Sequence, residues 1–163
     1  PSFDEAGMLN YFTGRAIDTD ATRKYINPRV KRTEIIFNEI NIDWSSELVL
    51  VEGPFDMMKS VQNSTCLLGS SLSEKHVLFK KIVSNNTPVA LALDPDASKK
   101  MQDIAKLLSS YDISVRCIDI HPYSDVGEME LGEMEERVKN STKWSEMDRL
   151  KTLINSIKSG SLV

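Results

Sequence analysis

The sequence predicts an α/β fold: about four mainly parallel strands flanked by helices, with a small β-rich subdomain before the sheet and helices after it. Three observations carry this. Leu48-Val49-Leu50-Val51 is an unbroken apolar run of strand length, the signature of a strand covered on both faces of a parallel sheet. Val89-Ala90-Leu91-Ala92-Leu93 repeats the pattern. After it, Ala97, Met101, Ile104, Ala105 and Leu108 fall on one face of a helix. Both apolar runs end in acid, Glu52 after the first and Asp94-Pro95-Asp96 after the second. Ligands of open parallel sheets bind beyond the carboxyl ends of the strands, so these three carboxylates stand where chemistry is done.

In chain order, residues 1–43 predict a small β-rich subdomain. Met8 to Ile17 reads as a strand with a break at Gly14, Asp18 to Thr22 as a polar turn, and Lys24-Tyr25-Ile26-Asn27 as an extended piece held out of helix by Pro28. Ile35-Ile36-Phe37 is a further short apolar stretch. Residues 44–125 predict the αβ core. Gly53 gives a sharp turn after the first strand and Pro54 suits a first helical position, with Phe55, Met58 and Val61 facing the sheet. Thr65 to Leu68 is the second strand, ending in Gly69-Ser70-Ser71. Ser73 has the chemistry of an N-cap for a helix burying Leu78 and Ile82. The strand and helix around Asp94 follow, with Lys99 and Lys100 on the helix's polar face, away from the acidic edge. Ile113 to Ile120 is the fourth strand. Right-handed crossovers accommodate all three helices.

Residues 126–163 predict a helical extension. Glu128 to Lys139 is a charged helix with Met129, Met134 and Val138 to bury, its acids a solvated face. Ser145-Glu146-Met147-Asp148 has capping-box spacing. Met147, Leu150, Ile154 and Ile157 then mark a last amphipathic helix, stopped at Gly160 and packed on the domain.

The net charge of −4 over 163 residues disfavours generic nucleic-acid binding, but the charge is uneven. Arg15, Arg23, Lys24, Arg29, Lys31 and Arg32 stand against only Asp18 and Asp20, whereas Asp119 to Glu136 holds acids and no base. From charge alone the basic stretch is equally a solvated face or a phosphate-binding one. Cys66 and Cys117 lie in apolar runs and read as buried free thiols of a reducing compartment; with His76 and His121 they lack zinc-site spacing. No secretory signal and no apolar run of membrane length is present. Pro1 in first position reads as the start of an excised or processed fragment, with a larger natural context expected.

Glu52-Gly53-Pro54-Phe55-Asp56 followed by Asp94-Pro95-Asp96 resembles the E-G-x-x-D and D-x-D motifs of TOPRIM domains, the metal-binding catalytic domains of bacterial-type primases, topoisomerases and related nucleases. Gly14-Arg15, then Lys24-Tyr25-Ile26-Asn27-Pro28, then Ile36-Phe37 is similar to the segment before the TOPRIM core in bacterial and phage DNA primases. The resemblance implies a TOPRIM-like sheet and gives Arg15 and Lys24 contacts to template and incoming nucleotide, with Tyr25 and Asn27 in support. Gly69 and Ser71 fill the family's G-[ST]-x-[LF] turn, where Gly69 either makes the turn or lets the backbone pass close to a phosphate. Asp125 and Glu128 occupy the third acidic motif, with Val126 and Gly127 departing from the family's proline and polar residue. Pro95 stands where a glycine is common between the aspartates.

Asp94 and Asp96 therefore read either as caps of the following helix or as ligands of Mg²⁺ or Mn²⁺, and three acids at two strand ends favour the metal. The implied metal set is Glu52, Asp94, Asp96 and Asp125. Glu52, Asp94 and Asp96 are the catalytic set, Glu52 serving as a second metal's ligand or as proton acceptor. The implied function is that of a DNA primase catalytic core, making RNA primers from ribonucleoside triphosphates on single-stranded DNA during replication, in the cytoplasm, or in the host cytoplasm if phage-encoded. A replicative helicase contacted through regions outside this chain is the expected partner, and no membrane is. A TOPRIM nuclease is the alternative that the Arg15…Asn27 segment argues against. A non-catalytic nucleic-acid-binding module is the one that the intact acids argue against.

Overall fold

A computed structural model describes residues 1–151 and 154, apart from 19, 70, 131 and 148. Residues 48–143 build a five-stranded sheet of β5 (Leu48–Val51), β6 (Ser64–Cys66), β7 (Val89–Ala92), β8 (Val115–Cys117) and β9 (Thr142–Lys143), in the order β6-β5-β7-β8-β9. The first four strands run parallel, and β9 pairs antiparallel with β8. The four expected core strands are present. The fifth is a polar edge strand, Thr142–Lys143, exposed and without the apolar pattern that marks the others.

Side chains of one strand alternate between the two faces, and both faces are covered. Leu48, Leu50, Val89, Leu91 and Val115 pack with Leu78 and Ile82 of α2 (Val77–Asn85) and with Ile104, Ala105 and Leu108 of α3 (Ser98–Ser109). Val49, Val51, Ala90 and Ala92 pack on the other side with Val126, Met129 and with Met134 of α4 (Glu133–Asn140). An apolar run with no polar alternation is the sequence consequence of this two-sided burial.

The N-terminal subdomain is two antiparallel ribbons, β1 (Ser2–Phe3) with β2 (Leu9–Tyr11) and β3 (Gly14–Arg15) with β4 (Tyr25–Ile26). Ile36 and Phe37 are not a strand. They are buried plugs, one in each core cluster, while the Phe37 carbonyl accepts a hydrogen bond from the fully buried Thr65 hydroxyl. Thr87 Oγ1 donates to Trp44 O at 2.6 Å and Asn63 Nδ2 to Glu47 O at 2.9 Å, tying the connection into β5.

Several expected boundaries move. The helix expected from Ser73 begins at Val77, because Ser73 N–H donates to the His76 ring at 3.0 Å and closes a turn of its own. The charged helix expected from Glu128 is split into a 3-10 turn at Val126–Glu128 and α4, with Gly132 at φ 88 between them. Cys117 is half-buried where a buried thiol was expected, whereas Cys66 is buried; both are free. In the C-terminal segment, residues 146, 147, 149–151 and 154 are helical, but Met147, Leu150 and Ile154 are exposed, so that apolar face is not packed on the domain as expected. Asp148, Ile157 and Gly160, the remaining parts of the expected cap and stop, lie outside the described residues. Among the described residues no helix is long and apolar enough to cross a membrane.

Candidate active site

β5 and β7 are adjacent and in register, Val51 opposite Ala92, so the residues that follow them leave the sheet side by side. That register brings Glu52, Asp94 and Asp96 together, one carboxylate oxygen from each lying within 4.8 Å of the others. Asp94 opens the Pro95–Ala97 turn without a side-chain cap hydrogen bond, so its carboxyl is not used as a cap. Glu52 Oε1 is buried and has no hydrogen-bond partner. A buried oxygen of this kind is costly unless something pairs with it.

The electrostatics agree with close packing of like charges. Burial pushes the Asp94 carboxyl up to about 7, and Glu52, Asp56, Asp125 and Asp96 add to the shift in that order. Burial also raises Glu52, with Asp96 contributing and Lys100 opposing. Lys100 therefore reaches the field of the acidic edge, contrary to its expected separation from it.

Two further acids complete the group. Asp56 is on α1 (Pro54–Met57), and its Oδ2 accepts from Gly53 N at 2.9 Å. A Cβ on Gly53 would come within 3.1 Å of that oxygen, which is why glycine suits the turn. Burial raises the Asp56 carboxyl, and Asp125 raises it further. Asp125 Oδ1 accepts from Glu128 N at 3.0 Å and so caps the Val126–Glu128 turn. Gly127 sits against both: a Cβ there would meet Asp125 Oδ1 at 3.0 Å and Asp56 Oδ1 at 3.3 Å. The departure from the third motif is thus a glycine that leaves room for two carboxylates.

Facing the acids across a cleft of about 370 Å³ are Tyr11, Thr13, Arg15, Tyr25, Asn27 and Arg32 of the N-terminal subdomain. The same cleft is lined by Glu52, Phe55, Asp56, Gly69, Asp94 and Asp125. Of the residues singled out in the sequence, Glu52, Asp94, Asp125, Arg15, Tyr25, Asn27 and Gly69 line it, and Asp96 joins through the carboxylate cluster. Lys24 and Ser71 do not line it. Lys24 is exposed with its Nζ 5.8 Å from the Tyr25 ring centroid, and Ser71 is exposed beyond the turn. Arg32 Nη1 donates to Leu68 O at 2.9 Å, and Leu68 itself has φ 54, beside Gly69 at φ 154. The backbone at this turn adopts conformations that a side chain resists.

Sequence reasoning missed Asp56, Arg32 and Phe55 as cleft residues. Asp56 closed the E-G-x-x-D pattern and Arg32 closed the basic stretch, so both signals were present. What was missing was the fold that turns Arg32 toward Leu68.

No protein-family model matches the chain. Over 97 residues it is 32% identical to a DNA primase of Listeria innocua, covering 52% of this chain and 16% of that protein. Among solved structures, it is similar to the Aquifex aeolicus primase, zinc-binding and RNA polymerase domains, at 23% identity and a TM-score of 0.71, covering 98% of this chain and 42% of that one. The RNA polymerase domain of Mycobacterium tuberculosis primase matches at 16% identity and a TM-score of 0.69, over 87% of this chain and 54% of that one. That domain also matches, at a TM-score of 0.63, in complex with a double-stranded DNA oligomer carrying a 6-nucleotide overhang. The chain thus shows homology to a DNA primase over half its length and shares the fold of primase RNA polymerase domains, and a TOPRIM-type core is consistent with both. It spans about a sixth of the length of its curated relative and about half or less of these solved chains.

Proposed function

We propose that this chain is the catalytic core of a DNA primase, a nucleotidyltransferase that makes RNA primers on single-stranded DNA. The observation that carries this is the cleft itself. Clustered carboxylates at the ends of two adjacent parallel strands face a wall bearing Arg15, Arg32, Tyr25 and Asn27. Acids on one wall and guanidinium groups on the other suit a polyphosphate bridged to a divalent cation.

Glu52, Asp94 and Asp96 would hold Mg²⁺ or Mn²⁺, with Asp56 and Asp125 as further oxygen donors. The partnerless Glu52 Oε1 and the raised Asp94 carboxyl both fit an ion-binding role. When bound, such an ion supplies charge neutralisation at phosphoryl oxygens and lowers the cost of ionising the attacking hydroxyl. The rest of the chemistry falls to the chain's own groups. Arg15 and Arg32 bind and orient the triphosphate, Lys24 extends the positive rim toward the template, and Gly69 lets the backbone approach a phosphate. As the 3′-hydroxyl oxygen bonds to the α-phosphorus and pyrophosphate leaves, Glu52 takes the hydroxyl proton where it does not itself ligate a second ion. In this reading residues 1–43 supply the nucleotide and template wall and 44–125 the acidic core, while what was expected as a separate helical extension also contributes the edge strand β9 and the buried Val126, Met129 and Met134 to that core. The substrates are ribonucleoside triphosphates paired to single-stranded DNA in the cytoplasm, and a replicative helicase is engaged through regions outside this chain.

The test is incorporation of labelled ribonucleotides with Mg²⁺ or Mn²⁺, with and without single-stranded DNA, beside a nuclease assay on the same preparation. Template-dependent products that disappear in Asp94→Asn and Asp96→Asn are expected. Metal-dependent degradation of the DNA without synthesis would overturn the proposal in favour of a nuclease.

A further inference from the structure

Phe55 fills a variable position between the glutamate and aspartate of the first acidic motif, and α1 presents it at the same cleft as the acids. Tyr25 reaches that cleft from β4, on the opposite wall. Their ring centroids are 6.2 Å apart with a 48° angle between the planes. The Arg15 guanidinium carbon lies 5.7 Å from the Tyr25 centroid and 5.8 Å from that of Phe55. The three separations are nearly equal, so the guanidinium closes a triangle and does not lie between two parallel rings. No slot is left for a flat ligand to enter, and such a ligand has to stack on the outer side of the cluster.

Neither ring belongs to the buried core, and Tyr25 is 44% exposed. Phe55 is half-buried and Arg15 covers part of both rings, so the π-surface offered to a ligand is the exposed side of Tyr25 and the adjoining edge of the pair. We propose that Tyr25 and Phe55, braced by Arg15, form a stacking platform for the base of a nucleotide whose phosphates enter the acidic cleft. The inference rests on the nucleotidyl-transfer reading above and adds to it the means of holding the base. Stacking is tolerant of sequence because every base has a π-face, which suits a site that has to accept each base in turn. Arg15 strengthens the cluster through its cation–π contacts and keeps a charged group beside the platform. The base comes either from the incoming triphosphate or from the template strand, and the two sources are separable.

The experiment uses the full chain and three probes in the presence of Mn²⁺: ATP, inorganic triphosphate, and a single-stranded DNA oligonucleotide carrying 2-aminopurine. If the base is that of the triphosphate, Phe55→Ala weakens ATP binding roughly tenfold and leaves inorganic triphosphate unchanged. If it is that of the template, the loss falls on the oligonucleotide, together with the quenching of 2-aminopurine, and ATP is unaffected. Phe55→Tyr restores whichever affinity is lost. Phe55→Leu, which keeps the apolar volume without the π-face, behaves as Phe55→Ala and separates stacking from a folding defect. Equal losses for ATP and inorganic triphosphate, or less than a twofold change for both ATP and oligonucleotide, would overturn the platform while leaving the nucleotide site in place. Wild-type protein that binds none of the three probes would instead remove the nucleotide reading, and the platform with it.

Discussion

Replacing Asp94 by Asn tests the acidic cluster without assuming any activity. The folded protein holds this carboxyl up to about 7 against an ordinary 3.8. Below the lower value both folded and unfolded chains are protonated, and the group contributes nothing to stability. As pH rises from there, the unfolded chain releases the proton while the folded chain retains it, so the cost of folding grows until the folded group also ionises, near neutrality. At full weight a shift of that size is worth about 4 kcal/mol. Solvent reaches the half-buried carboxyl and screens its neighbours, which reduces the expected cost to about 1–2 kcal/mol. Asp94→Asn removes it. The substitution also costs no cap, because Asp94 makes no side-chain cap hydrogen bond. In EDTA at pH 8 the variant is therefore expected to melt about 3–6 °C above wild type, and the difference is expected to close near pH 4. Glu52 and Asp56 are raised too and keep part of the pH dependence in the variant. Mn²⁺ at a hundredfold excess over its dissociation constant adds about 2.7 kcal/mol to wild type and little to the variant. Thermal melts from pH 4 to 8, with and without Mn²⁺, read all of this out. A variant less stable than wild type in EDTA at pH 8, or one responding to Mn²⁺ as wild type does, would refute the crowded metal-binding cluster.

Gly127→Ala places a methyl group 3.0 Å from Asp125 Oδ1 and 3.3 Å from Asp56 Oδ1; a loss of about 1 kcal/mol in urea unfolding and weaker Mn²⁺ binding by calorimetry are expected. Arg32→Ala removes the hydrogen bond to Leu68 O, so about 1 kcal/mol of stability should be lost, with ATP affinity falling alongside it in the same titration. Arg15→Ala and Lys24→Ala should each lower the slope of log K against log salt for single-stranded DNA by about one. Lys99→Ala and Lys106→Ala, exposed on α3, are the controls, and equal slopes for both pairs would return the N-terminal bases to a solvated face.

The core strands were legible in the sequence because burial on both faces of a parallel sheet leaves no polar alternation. Leu48-Val49-Leu50-Val51 and Val89 to Leu93 could hardly read otherwise. The acids were legible for a related reason: residues just past such strands emerge at one edge, and Glu52, Asp94 and Asp96 are just past them. β9 was not legible, since Thr142–Lys143 is a polar edge strand whose pairing with Arg116 and Cys117 is fixed by the partner strand and not by its own pattern. Nor was the fate of Ile36 and Phe37, whose apolarity announced burial but not that one would plug each side of the sheet. The opposite wall of the cleft was legible only through the family resemblance, which singled out Arg15, Tyr25 and Asn27 but not Arg32; its position facing the acids was decided by tertiary structure. Arg15, Tyr25 and Arg32 carry no periodic signal, and only the docking of the two short ribbons, through Tyr11, Phe37 and the Thr65 hydroxyl, turns them toward the carboxylates. Local sequence sets which residues are buried and where strands end. Which exposed charges meet across a cleft depends on contacts between segments far apart in the chain, and those follow from packing.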